Sequence, residues 1–111
     1  MIKMAMSQAA GCLVRALIGR AGAERNRILL TDVHSVDWQS LTFTGERHQI
    51  GFRITGLDSA AIAGRMCAGL EDAEFSIPGL IVADIAILGK PQREPDGATT
   101  LLIEALTVSE N

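Results

Sequence analysis

Aromatic residues are scarce in this sequence. They make up 4% of it, with one tryptophan, three phenylalanines and no tyrosine, whereas apolar residues make up 48%. The core must therefore be built from aliphatic side chains. Disordered chains are poor in such residues and rich in charge, so the composition predicts a folded chain. A length of 111 residues is the size of one domain, and we expect residues 1–111 to form a single unit.

Long apolar runs and clustered cysteines are also missing. No apolar stretch approaches the roughly 20 residues that span a bilayer, and the segment from Met1 to Met6 has no apolar region followed by a cleavage site, so no signal peptide is predicted. Cys12 and Cys67 are too few for a disulfide framework, and each lies in an apolar helical pattern. We expect a cytoplasmic protein with reduced, buried thiols and no membrane association.

A cluster of positive charge is absent as well. The formal net charge is -3, and the nearest approach to a basic patch is Arg15, Arg20, Arg25 and Arg27, spread along a helix and its exit. A protein that binds nucleic acid through its phosphates needs a clustered positive surface. These arginines instead predict a solvated helix face, and we expect no specific nucleic-acid binding.

Two helices are predicted from apolar residues at helical spacing. The first covers residues 7–21, with Ser7 as the N-cap and Gly22 as the stop. The second covers residues 60–73, with Asp58 or Ser59 as its cap.

Strands are predicted where residues are β-branched or alternate with a period of two. The predicted strands are 28–36, 40–43, 48–54, 80–88 and 99–108, with residues 44–47 as the turn between the second and third. The polar residues 89–97, with two prolines, predict an extended hairpin arm between the last two strands. The expected fold is α+β: a mainly antiparallel sheet of about five strands with two helices on one face.

Residues for catalysis or metal binding are few. His34 and His48 are the only histidines, and a site made of Asp32, His34 and Asp84 would need a further ligand or a pocket in which they converge. There is no Gly-x-Ser-x-Gly motif and no phosphate-binding glycine loop. We expect no enzymatic activity, no metal and no cofactor.

Charged residues inside predicted strands need water or a partner, because a buried unpaired carboxylate is costly. Asp84 either faces water or pairs with an arginine, for which Arg53 is the candidate, and Glu104 raises the same question. Trp38, the only tryptophan, fits a core anchor and an interface anchor equally well.

A resemblance rests on the order of several short motifs. Asp37-Trp38-Gln39-Ser40 is followed by Gly45-Glu46-Arg47-His48 and an alternating strand. Leu70-Glu71-Asp72-Ala73, Arg93-Glu94-Pro95-Asp96-Gly97 and Ala105-Leu106-Thr107 come after it. In this order, from Ile28 to Glu110, the chain resembles the phage-like tail-completion family. That family includes the tail terminators of siphophages and of gene transfer agents.

The resemblance implies a structural protein that forms a homohexameric ring at the head-proximal end of a tail tube. It implies contacts with the tube protein and a neck or head-completion protein, first in the cytoplasm and then in a phage-like particle. Exposed sheet edges and the proline arm are the expected contacts between copies. The expected interface residues are Trp38, Glu46, Arg53, Asp84, Lys90, Pro91, Arg93, Pro95 and Asp96. The alternative is a small ferredoxin-like ligand-binding or regulatory domain that acts as a dimer.

Overall fold

The computed structural model describes residues 5–109. Residues 1–4, part of the segment for which no signal peptide is predicted, and residues 110–111 lie outside the described part. In chain order the elements are α1 (Gln8–Ala21), β1 (Ile28–Gln39), β2 (Thr44–Ile54), α2 (Ser59–Cys67), β3 (Leu80–Arg93) and β4 (Thr99–Ser109), with short 3-10 helices at Arg25–Arg27 and Leu70–Asp72. The expected α+β class is confirmed.

The four strands form one antiparallel sheet in the order β1-β2-β4-β3. Both hairpins, β1–β2 and β3–β4, therefore pair within themselves, and β2 and β4 lie in the centre. A ferredoxin-like domain follows the order β-α-β-β-α-β, whereas here a tight turn joins the first two strands. The element order therefore differs from that of the ferredoxin-like alternative.

α1 begins and ends where its sequence signals are. Ser7 accepts a hydrogen bond from the backbone nitrogen of Ala10 at 3.1 Å, which satisfies one of the free donors of the first turn. Gly22 ends the helix in the left-handed conformation at φ 64°. The predicted boundaries of this helix are confirmed.

α2 is shorter than predicted. It ends at Cys67, and Gly69 then adopts a left-handed conformation before the 3-10 turn Leu70–Asp72. Asp58 occupies the N-cap position but makes no capping hydrogen bond, because its carboxylate pairs with Arg27. This ion pair lowers the pKa of Asp58 and raises the pKa of Arg27.

The predicted strand at residues 40–43 is a turn in the structure, so the described sheet has four strands instead of five. The turn closes through two hydrogen bonds, from Ser40 N to Phe43 O at 2.9 Å and from Phe43 N to Ser40 Oγ at 3.0 Å. Residues 44–47, predicted as the turn, belong to β2. Gly45 is needed there because a Cβ at this position would lie 1.9 Å from the carbonyl oxygen of Thr107 on β4.

The separate polar arm is not confirmed. β3 continues through residues 89–93 to Arg93, and a short turn at residues 94–98 leads into β4. The register of β3 with β4 shifts between Leu88 and Gln92, so Gly89, Lys90 and Pro91 form a bulge in the strand. Proline is tolerated at this position because β3 is an edge strand.

Both helices pack on the same face of the sheet, and the core lies between them. The core is aliphatic apart from Phe52, as the composition predicts, and includes Leu13, Leu17, Ile50, Ile54, Ile62, Met66 and Ile103. His48 is also buried on this face, where its Nδ1 lies 2.7 Å from Ser35 Oγ and its Nε2 2.8 Å from Thr107 Oγ1. Burial lowers the pKa of His48, an effect that Glu46 partly opposes.

Two arginines join the helices reciprocally. Arg65 on α2 donates to the carbonyl of Ala21 at the end of α1, at 2.8 Å, and Arg20 on α1 donates to Met66 at the end of α2, at 3.1 Å. The last carbonyls of a helix have no partner within the helix, so each arginine caps the other helix. Arg20 is thus a structural residue rather than part of the solvated face that was predicted.

Candidate interaction surface

One face of the sheet has no helix against it in the described part of the chain, and we call it the open face. Register places five cross-strand rows on it: Trp38–Gly45–Val108–Ile81, Val36–Arg47–Leu106–Asp84, His34–Gln49–Glu104–Ala86, Asp32–Gly51–Leu102–Leu88 and Leu29–Arg53–Thr100–Gln92. Directly opposed residues point to the same side of a sheet. The strand residues of the core cluster all lie on the other side.

The end of the open face nearest the β1–β2 turn is apolar. Val36 and Ile81 are 47% and 44% exposed, and Trp38 is half-buried beside Gly45, which has no side chain. Leu106 and Val108 are almost buried without belonging to the core cluster. Trp38 therefore lies on an outer face, which favours the interface interpretation over the core one.

The middle of the open face is charged. Arg47 and Glu104 lie 3.9 Å apart and are both about half-exposed, which makes this ion pair a weak one. His34 is exposed in the same region. This band separates the apolar end from a cleft further along the strands.

The cleft is an open depression of about 340 Å³, lined by Thr31, Asp32, Gly51, Leu88, Lys90 and Leu102 among others. Both edge strands bulge at its level: β1 between Leu30 and Asp32, and β3 between Leu88 and Gln92. Bulges bend a strand and increase its twist, and the floor at Gly51 has no side chain. Two bulges at one level and a glycine between them account for the hollow.

Arg53 forms an ion pair with Asp96 in the β3–β4 turn and not with Asp84. Asp96 also accepts a hydrogen bond from the backbone nitrogen of Ala98, and this bond and Arg53 together lower its pKa. Asp84 is exposed on the edge strand β3. Of the two interpretations of Asp84, the structure supports the one in which it faces water.

The nine expected interface residues do not form one patch. Trp38, Arg53 and Asp84 share the open face, and Lys90 lines its cleft. Pro91 and Arg93 follow on the exposed end of β3, and Arg93 donates to the Leu57 carbonyl at 3.2 Å. Pro95 and Asp96 are exposed in the adjoining turn. Glu46 points to the opposite face of the sheet, the one on which the helices pack.

The side chains considered for catalysis do not converge. Asp32 and His34 are on β1 and Asp84 is on β3, three strand spacings away, which is about 14 Å. Across residues 5–109, no three His, Cys, Asp or Glu side chains are placed to hold a metal ion. Cys67 is half-buried, and burial raises the pKa of its thiol, so it is poorly suited to act as a nucleophile.

Sequence reasoning missed the most exposed apolar residues. Leu41 is 103% exposed and Phe43 is 51% exposed, both in the turn of residues 40–43, and Leu57 is 86% exposed near the other end of the sheet. The signal was present as apolar residues in a four-residue turn, where polar residues are usual. Because residues 40–43 were assigned to a strand, the exposure of Leu41 and Phe43 was not predicted.

Comparison of the chain with protein-family models and with curated proteins gave no match. Within residues 5–109, no helix has the length and apolar character required to cross a bilayer.

Proposed function

We propose that this protein is a structural assembly subunit that works by associating with copies of itself. The observation that carries the proposal is the uncovered open face, which has an apolar end, together with the fully exposed Leu41 at the β1–β2 turn. Monomeric proteins rarely leave large apolar surfaces without a partner. A structural role also agrees with the scatter of Asp32, His34 and Asp84.

The edges of the sheet are a less suitable contact than the open face. Unpaired edge strands invite pairing with another chain, and proteins block them with bulges, lysine and proline. β3 has two register shifts and contains Lys90 and Pro91, and β1 has one register shift. We therefore assign the contact between copies to the open face and the β1–β2 turn.

The specific assembly we propose is a ring of the tail-terminator type at the head-proximal end of a phage-like tail tube. Its support is the resemblance in motif order together with a small α+β subunit that has an uncovered sheet face. Contacts that join two different surfaces of a chain close into a ring when the rotation between copies permits. The resemblance implies a ring of six copies that contacts a tube protein and a neck protein.

The test is the mass of the assembly over a concentration series, measured by light scattering and native mass spectrometry. We expect a discrete species of several copies, six if the tail-terminator assignment holds, with a ring shape in electron micrographs. A stable dimer whose melting temperature rises with a small metabolite would favour the ligand-binding alternative. A monomer at every concentration would contradict self-assembly.

A further inference from the structure

We propose that the β1–β2 turn of one copy inserts into the open-face cleft of a second copy. This inference deepens the proposed self-assembly and rests on it. The turn of residues 40–43 is called the tip below, and the cleft is the depression floored by Gly51 and Leu102.

The tip is a defined projection with an apolar end. Leu41 is fully exposed and Phe43 half-exposed, and the turn that carries them is closed by hydrogen bonds between Ser40 and Phe43. A closed turn loses little conformational freedom on binding, which favours affinity. An exposed aliphatic or aromatic side chain on a rigid turn is suited to fill a pocket in a partner.

The base of the tip is acidic. Asp37 and Glu46 face each other directly across the hairpin, and residues 37–46 include no lysine or arginine. Like charges at directly opposed positions destabilise a strand pair. Within the described part of the chain neither carboxylate has an ion-pair partner, so a cation from another molecule would relieve this repulsion.

The cleft offers complementary chemistry. Leu88 and Leu102 line it together with Gly51, and its 340 Å³ volume is enough to take up side chains of the tip. Lys90 lies on the β3 rim and can meet the acidic base of the tip, while Asp32 lies on the β1 rim. The apolar tip with its acidic base thus complements the apolar cleft, which has a lysine at its rim.

The tip cannot reach the cleft of its own chain. Both lie along the same paired strands, and the seven residue steps from Thr44 to Gly51 separate them by about 23 Å at the rise of a strand. The occupant must come from another molecule. Because tip and cleft are different surfaces, copies can join head-to-tail through them, which is the kind of contact that a closed ring requires.

Leu41→Glu is the main test, and Leu57→Glu is its matched control because both leucines are almost fully exposed, at opposite ends of the sheet. We expect Leu41→Glu to weaken self-association by more than about tenfold, since it places a charge in an apolar hollow. Leu57→Glu should associate like the wild type. Circular dichroism and melting temperature confirm that each variant is folded.

A second pair of variants tests the cleft. Leu88→Trp fills the hollow, and Lys90→Glu, at an exposed position, removes the cation without touching the core. We expect both to weaken association. Leu41→Glu keeps an intact cleft and Leu88→Trp keeps an intact tip, so a mixture of the two should form 1:1 heterodimers in native mass spectrometry although each alone is monomeric.

Three outcomes would overturn the inference, and one of them would also contradict the proposed function. If Leu41→Glu assembles like a self-associating wild type, the inference fails and self-assembly stands. If the two folded variants do not combine when mixed and Lys90→Glu associates normally, the cleft is not the receiving site. If the wild type itself stays monomeric, both proposals fail.

Discussion

His48 links the stability of the core to pH. It is 1% exposed, its two ring nitrogens contact Ser35 and Thr107, and burial lowers its pKa in the folded state. The unfolded chain therefore binds a proton at higher pH than the folded chain does. The stabilising effect is fully present above the unfolded pKa of about 6.5 and is lost as the pH falls below it.

We expect the free energy of unfolding to fall between pH 7.5 and pH 5.5, by at most the roughly 1.4 kcal/mol that one histidine can contribute over this range, and His48→Gln to remove most of this slope. Urea unfolding at several pH values measures it. His34→Gln is the control, because His34 is exposed on the open face. An unchanged slope in His48→Gln would show that another group is responsible.

At the scale of elements, the two arginine caps bind α1 to α2. Arg65→Ala removes the donor to Ala21, and Arg20→Ala removes the donors to Met66 and Ala68 and the contact with the Phe75 ring, whose centre is 6.0 Å away. We expect each substitution to cost about 1–3 kcal/mol, the usual range when a charged hydrogen-bond donor is lost. Chemical denaturation measures the loss.

Arg15→Ala is the matched control on the same helix. Arg15 is exposed and its contact in the structure is a 3.4 Å hydrogen bond to Cys12 Sγ. Its removal should change stability by less than about 0.5 kcal/mol, as is usual at surface positions. Equal losses for all three arginines would mean that the caps are not the cause, and helix propensity could not explain the losses because alanine is a better helix former than arginine.

How far the elements follow from the sequence depends on whether the signal is local. The ends of α1 are set by Ser7 and Gly22, and both were predicted. The early end of α2 coincides with Gly69, which lies inside an otherwise helical sequence pattern. Residues 44–47 were predicted as a turn because of Gly45, but Gly45 lies in β2, where the backbone of β4 comes too close for a side chain. That requirement arises between strands far apart in the sequence, so no local pattern reveals it.

The open face could be predicted only in part for the same reason. The alternation in β2 shows that one side of the sheet is buried, but strand order and bulges decide which residues share the other side. Asp32 and His34, which are two residues apart on one strand, face the same way. The cleft depends on two bulges at the same level in β1 and β3, two strands that do not touch each other. Predicting the cleft would therefore require the pairing register of all four strands.

At the scale of the whole molecule, the chain exposes more surface than its size requires. Its accessible area is 6831 Å², and its extents are 46 × 32 × 23 Å. A folded monomer of 11.8 kDa typically exposes about 5,900 Å². The flat, elongated shape spreads the sheet and leaves a modest core, so covering the open face in the proposed assembly would add to the stability of the subunit.

Association should therefore raise the melting temperature. A contact that forms only between folded copies stabilises the folded state by mass action, so the wild type should melt at higher temperature as its concentration increases. Scanning calorimetry or fluorimetry over a wide concentration range measures this rise. Leu41→Glu should melt at one temperature throughout, near that of the most dilute wild type, because it loses the contact and keeps the core. If the wild type melts independently of concentration while it assembles, the contact forms without stabilising the fold, and the open face does not limit the stability of the subunit.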